Sequence, residues 1–285
     1  MDHAADAVTT GPPTAAPGAA GYGVAGDEGR EQFVLRALKS RADMDACVTL
    51  QRATWGETYE DCVPASILKV SQLVGGVCAG AFAPDGRLVG FVYGLTGLRA
   101  GRLVHWSHML AVLPEYRNHG VGRRLKQYQR DVLHGLGVET IEWTFDPLVA
   151  RNAHLNLNRL GATVDAYVPD MYGDTGSALH AFGTDRLIVS WPVAEGVVVR
   201  DATQLPESWR RASWAEDAAA DASPLRIEIP RDVESMAVAE ARAWRERTRE
   251  AFLRTLGVGY RVAAFMPGSA TCAYIMVRKE GKGAE

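Results

Sequence analysis

A chain of 285 residues, 47% of them apolar, can bury a substantial core and has room for one large domain or two modest ones. Its formal net charge of −3 supplies no basic field for nucleic acid or anionic lipid, and no apolar run approaches the roughly 20 residues that span a bilayer. The start, Met1-Asp2-His3, lacks the basic and apolar regions of a secretory signal, and Cys47, Cys62, Cys78 and Cys272 form no C-x-x-C pair or tight His spacing, so the expectation is a cytoplasmic protein with reduced thiols and no metal site.

Residues 1–30 are rich in Ala, Gly, Pro and Asp with Tyr22 as the one aromatic, a composition too poor in apolar surface to offset its ordering entropy, and they read as a disordered tail. A strand is expected over 33–38 and a helix over 42–54. Residues 77–83 and 88–96 read as antiparallel strands joined by the turn chemistry of Pro84-Asp85-Gly86, and 103–113 as a further strand stopped by Pro114. Val121, Leu125, Tyr128, Val132, Leu133 and Leu136 recur at helical spacing until Gly135 and Gly137. A strand over 140–145, a helix over 150–160 and strands over 163–168 and 186–192 complete a mixed sheet with helices on both faces, a domain spanning 31–193. Residues 194–223 lose periodicity and read as a linker. A small α+β unit over 224–279 follows: a strand over 225–229, a helix capped by Asp232 and running to Leu256, and a hairpin around Pro267-Gly268. That helix is expected to turn Val233, Met236, Ala237, Trp244, Phe252 and Leu256 inward and to solvate its charged face.

The informative stretch is 110–125, where a strand meets a proline stop, an Arg/Gly turn and an amphipathic helix. Gly120 and Gly122 let the backbone bend and approach a ligand closely. Unpaired amides of the first helical turn then face outward at the positive end of the helix dipole, a site for phosphate, with Arg117, Arg123 and Arg124 adding charge. The absence of Gly-Lys-Ser/Thr excludes a P-loop, and Leu125 excludes the dinucleotide fingerprint.

What remains is Arg117-x-x-Gly120-x-Gly122 behind a Leu110-x-Val112-x-Pro114 strand end, and this resembles the acyl-CoA loop of the GNAT acyltransferases over about 33–193. Ser107-His108-Met109-Leu110, Trp143-Thr144-Phe145-Asp146-Pro147-Leu148, Asn152-Ala153, Asn156, Tyr172-Gly173 and Trp244-Arg245 are similar to a two-part subgroup, some of whose members are linked to N-acylation of amino acids. The resemblance implies an α/β (α+β) GNAT fold with a mixed, mostly antiparallel sheet flanked by helices. It implies an acyl-CoA donor, acetyl-CoA or succinyl-CoA, and a small-molecule amine acceptor; neither nucleic acid nor membrane is expected as a partner, and a homodimer is left open.

Carried onto this chain, pantetheine would add as a pseudo-strand to Leu110, Ala111 and Val112, with an N–H near Leu110 facing the thioester oxygen. Arg117, Asn118, His119, Gly120, Val121, Gly122 and Arg123 would hold the pyrophosphate, and Asn152 and Asn156 would contact the cofactor. The family's thiolate-protonating tyrosine falls on Leu157, a departure that leaves the acid open. His108 is the candidate base or else a structural histidine, with His105 and Ser107 behind it. Tyr172 is a candidate replacement for the tyrosine or else a packing residue. Asp146 is a candidate to orient the amine or else a turn residue, and Arg186 would bind a substrate carboxylate or pair with Asp185. Two other readings stand beside the transferase: a non-catalytic acyl-CoA-binding protein, and a hydrolase or decarboxylase on the same fold.

Overall fold

A computed structural model describes residues 33–57, 59–173, 181–194, 205–210, 212–214 and 224–279. The tail expected over 1–30 lies outside the described residues. The first sheet has seven strands in the order β1-β2-β3-β4-β5-β7-β6: β1 Val34–Ala37, β2 Val77–Phe82, β3 Leu88–Arg99, β4 Arg102–Val112, β5 Thr140–Phe145, β6 Thr163–Val168 and β7 Arg186–Pro192. All its pairings are antiparallel except β4 with β5. Helix α1 (Arg41–Trp55) starts in a capping box between Ser40 and Asp43, and Asp43 is held by Arg36 at 2.7 Å.

Helix α2 (Ala65–Leu73) is absent from the sequence reading. Its apolar side chains Ile67, Val70 and Leu73 lie exposed and only Leu68 and Ser71 are buried, so it carries no inward apolar stripe to recognise. Helix α3 (Val121–Gly135) buries Val121, Leu125 and Leu133, and between them Lys126 and Gln129; Leu136, expected inside, is exposed. The helix expected over 150–160 is a short α4 (Ala150–Ala153) that widens into a π-helical turn, His154–Arg159, with the Leu160 amide bonded to the Leu155 carbonyl at 2.9 Å.

Inside the stretch expected as linker, α5 (Glu207–Arg210) and β8 (Ser213–Trp214) are ordered. β8 joins a second sheet of order β10-β11-β9-β8, with β9 Leu225–Pro230, β10 Tyr260–Met266 and β11 Thr271–Arg278. The long helix α6 (Val238–Gly257) has Ala237 at its N-cap position; Asp232 instead precedes a separate 3-10 turn, Val233–Ser235. Its buried face is Ala241, Arg245, Thr248, Ala251, Phe252 and Thr255, more polar than expected because carboxylates of the first sheet face it. Arg245 Nη2 donates to Asp146 at 2.6 Å, and Arg249 Nε to Asp185 at 3.0 Å. Phe252 stacks on Tyr167 at 5.0 Å, Tyr274 donates its hydroxyl to the Pro147 carbonyl at 2.7 Å, and one hydrophobic core runs through both sheets.

Candidate functional site

β4 and β5 pair only through Val104 with Thr140, His105 with Ile141 and Trp106 with Glu142. Beyond that point β4 stays with β3 as far as Val112 opposite Gly90, while β5 stays with β7 as far as Phe145 opposite Leu187. The two strands therefore fork, and the edge of β4 from Ser107 to Val112, with Leu110, Ala111 and Val112 on it, has no strand beside it on the β5 side. A β-bulge sits at the apex: Tyr93 opposes Met109 and Gly94 opposes Ser107, so His108 is the extra residue. Gly94 is required there, because a Cβ would lie 2.3 Å from His105 Nε2.

The fork opens onto the turn into α3. Asn118 (φ 65°) and Gly120 (φ 75°) take left-handed conformations, and no side chain caps α3, so the amides of Val121, Gly122 and Arg123 have no partner within the helix. A Cβ on Gly122 would stand 3.8–3.9 Å from the side chains of Leu110, Leu155 and Val112, at the mouth of the fork. Arg123 Nε is buried without a hydrogen-bond partner. Arg117 Nε donates to the Val112 carbonyl at 3.1 Å, which fixes the turn against the strand end; Arg124, expected to add charge, gives Nη2 to the Phe33 carbonyl at 3.0 Å instead. His119 is exposed on the turn. Beside Asn118 lies a cavity of about 640 Å³ lined also by residues 149–151 and 231–235. An unfilled glycine cradle, an orphaned guanidine nitrogen and uncapped amides fit a diphosphate with an extended chain behind it.

Asn152 lies half-buried in α4. Asn156 is buried and accepts from Trp143 Nε1 at 3.1 Å, so its amide oxygen orients an indole of β5. Leu157 is in the core, and Asn158 donates to the Phe265 carbonyl at 3.0 Å, tying the π turn to the second sheet.

On the opposite side of the bulge the His108 ring is exposed and meets Tyr93 edge to face at 6.1 Å; protein packed around it lowers its pKa, against a smaller opposing effect of Asp61. Tyr172 is 44% exposed, with its hydroxyl 3.2 Å from Thr144 Oγ1 and the Arg186 guanidinium 5.2 Å from its ring. Tyr59 is pushed up to about 12, first by burial and then by Asp61, Cys62 and Tyr172. Tyr59 and Asp61, between α1 and α2, thus join His108 and Tyr172 around one region. Nothing in their local sequence marks them beyond polarity. Asp146 is not among these residues: its carboxylate accepts from Arg245 and the Leu148 amide, with Arg186 3.8 Å away, so it is an ion-paired anchor for α6. Arg186 donates to the Asp185 backbone carbonyl at 2.9 Å.

Below the apex lies a buried polar chain. Lys126 Nζ donates to Ser107 Oγ at 2.8 Å and stands 3.6 Å from the centre of the Trp143 ring. Ser107 donates to Gln129 Oε1 at 2.8 Å, Gln129 Nε2 lies 3.0 Å from His105 Nε2, and His105 Nδ1 lies 2.9 Å from Thr96 Oγ1. Burial, then Lys126, brings His105 down to about 3, and burial takes Lys126 well below the ordinary lysine value. No cluster of His, Cys, Asp or Glu suited to a metal ion occurs among the described residues.

Residues 44–161 match the model of the acetyltransferase (GNAT) family. No curated protein matches the chain. Among solved structures it is similar to the ribosomal-protein-S18-alanine N-acetyltransferase from Escherichia coli, at 18% identity over 57% of this chain and 96% of that one, with a TM-score of 0.45. It is also similar to yncA from Salmonella typhimurium with its cofactor acetyl-CoA (17%, 58% and 96%, 0.44) and to an aminoglycoside 6'-N-acetyltransferase complexed with coenzyme A (16%, 57% and 98%, 0.44).

Proposed function

Residues 44–161 belong to the GNAT acetyltransferase family, and from that premise we propose that this protein transfers an acyl group from acyl-CoA to the amine of a small molecule, an amino acid by preference. The observation that carries the reading is the fork between β4 and β5, which ends at the uncapped start of α3. Bound acyl-CoA supplies the activated thioester. Leu110, Ala111 and Val112 offer backbone groups along the free edge of β4 to the extended pantetheine, and the amides of 121–123 with Arg117 and Arg123 take the diphosphate. The cavity beside Asn118 gives the adenosine end room, with Arg151 and Arg231 in its wall.

The acceptor enters on the side of Tyr59, Asp61, His108 and Tyr172. The lowered pKa keeps His108 neutral near pH 7, so its ring is able to accept the proton that the amine gives up. Tyr172, on the same wall, hydrogen-bonds the acceptor. A net charge of −3 and the absence of a strongly charged groove among these residues favour a small acceptor over a long polymer. The donor is acetyl-CoA or a larger acyl-CoA such as succinyl-CoA.

Incubation with acetyl-, malonyl- and succinyl-CoA, each with a pool of amino acids and small amines, and measurement of free thiol tests this reading. Thiol release that depends on an amino acid supports it; release only with peptides or aminoglycosides refutes the acceptor class. A second reading, acyl-CoA binding without turnover, draws on the buried Leu157 at the tyrosine position and would give tight binding with no acceptor-dependent thiol.

A further inference from the structure

Lys126 is fully enclosed, 2% exposed, yet no carboxylate pairs with it among the described residues. A buried lysine without a counter-ion is costly unless its surroundings compensate. Here they do so in part. Ser107 Oγ accepts at 2.8 Å, Gln129 Oε1 lies at 3.5 Å, and the face of Trp143 lies 3.6 Å away and favours a cation.

The location matters more than the burial. The last paired residues of β4 and β5 are Trp106 and Glu142. Ser107 and Trp143 are the next residues along the two strands, and Nζ touches both, so the amine stands where the strands part. From α3 it faces β4 through Ser107 and His105, and β5 through Trp143, whose indole is held by Asn156. Glu142, one residue earlier on β5, is committed to Arg99.

Resting on the reading of the fork as the acyl-CoA site, we propose that Lys126 is the group that protonates the departing thiolate. The acceptor nitrogen bonds to the acyl carbon, the carbon–sulfur bond breaks, and its electron pair goes to sulfur. Lys126 Nζ gives sulfur a proton to form the free thiol. The proton lost by the acceptor nitrogen leaves through His108 to solvent, and Nζ regains one from solvent when the thiol departs, so the balance is amine plus thioester to amide plus thiol. Burial makes Nζ a readier proton donor than an exposed lysine, the Ser107 hydroxyl and the Trp143 face favour its charged form, and the family's tyrosine position holds the buried Leu157.

The test needs no acceptor. The thiol of CoA bound to the full chain is titrated by its ultraviolet thiolate absorbance against protein alone, in the wild type and in Lys126→Met. A cation at the apex should lower the thiol pKa of bound CoA by about one unit relative to free CoA, roughly tenfold in ionisation, and Lys126→Met should abolish that shift while still binding CoA. Lys126→Gln serves as the second variant. A wild-type complex whose thiol titrates like free CoA overturns the assignment, whatever the variants do. So does a lowered value that persists in either variant. Failure of CoA to bind the wild type would instead refute the acyl-CoA site itself, and the assignment with it.

Discussion

Replacing Asp146 separates a structural carboxylate from a catalytic one. Asp146→Ala leaves Arg245, 4% exposed, and Arg186, 13% exposed, without the charge they share. Removing one member of a buried pair costs about 3–5 kcal/mol, and at about 2–4 °C per kcal/mol for a chain of this class the midpoint should fall by about 6–20 °C. Arg245→Met is milder, because Arg186 at 3.8 Å and the Leu148 amide at 2.8 Å still serve the carboxylate; the loss of one charged hydrogen bond is worth about 1.5–3 kcal/mol. The double variant should lose less than the sum of the two, since each single change strands the other's partner. Thermal and urea unfolding of the four proteins give the cycle. An Asp146→Ala midpoint within about 2 °C of wild type would refute the anchoring role and return Asp146 to the list of acceptor contacts.

Gly120→Asp meets no heavy atom within 4 Å of the new Cβ but must take the left-handed φ of 75°, a strain of about 1 kcal/mol that Asp tolerates better than most residues, so the fold should survive while calorimetric CoA affinity falls at least about tenfold; unchanged affinity would remove the diphosphate from this turn. His105 titrates near 3 in the folded chain against about 6.5 unfolded, so its contribution is complete above pH 6.5 and is lost as pH falls toward 3, about 1.4 kcal/mol per unit. Between pH 6.5 and 5 the wild type should therefore lose about 2 kcal/mol more in urea unfolding than His105→Gln, and equal losses would contradict the buried neutral state. His108→Ala should lower kcat at pH 7 about 100-fold and leave CoA affinity intact, with the deficit shrinking at high pH where the acceptor is already a free amine. A variant as active as wild type at pH 7 would take His108 out of the mechanism.

Most strands of the first sheet were legible because alternation and turn residues are local signals, and the turn into α3 was legible because Gly120 takes a left-handed conformation that favours glycine. The failures share a cause: partners distant in sequence. Asp146 looks like the start of a turn until Arg245, 99 residues on, is packed against it. Helix α2 buries too little to show a period. The π turn after Ala153 carries Asn158, whose partner, the Phe265 carbonyl, lies 107 residues away. Lys126 and Gln129 did carry a signal: they fall on the helical stripe of Val121, Leu125 and Leu133, where a charged and an amide side chain have no business unless they have partners inside.

The C-terminal unit also helps to hold Tyr172 in place. Tyr172 takes its position from a short backbone clasp: its amide lies 3.3 Å from Thr184 Oγ1, that hydroxyl bonds the Gly173 carbonyl at 3.1 Å, and the Met171 amide bonds the Thr184 carbonyl at 3.1 Å. Asp185, the next residue, is fully buried. Burial alone would raise its pKa, but hydrogen bonds from Arg249 and Tyr167 outweigh that and lower it, so the carboxylate is charged at neutral pH. Arg249 of α6 also bonds Asp170 at 2.7 Å, closing the clasp from its other end. Two arginines one helical turn apart, Arg245 on Asp146 and Arg249 on Asp185 and Asp170, thus brace both the end of β5 and the segment that carries Tyr172. Without α6 these carboxylates at the ends of the first sheet's strands would lack their guanidinium partners, and Arg245 and Arg249 are the cations that the second layer brings to them.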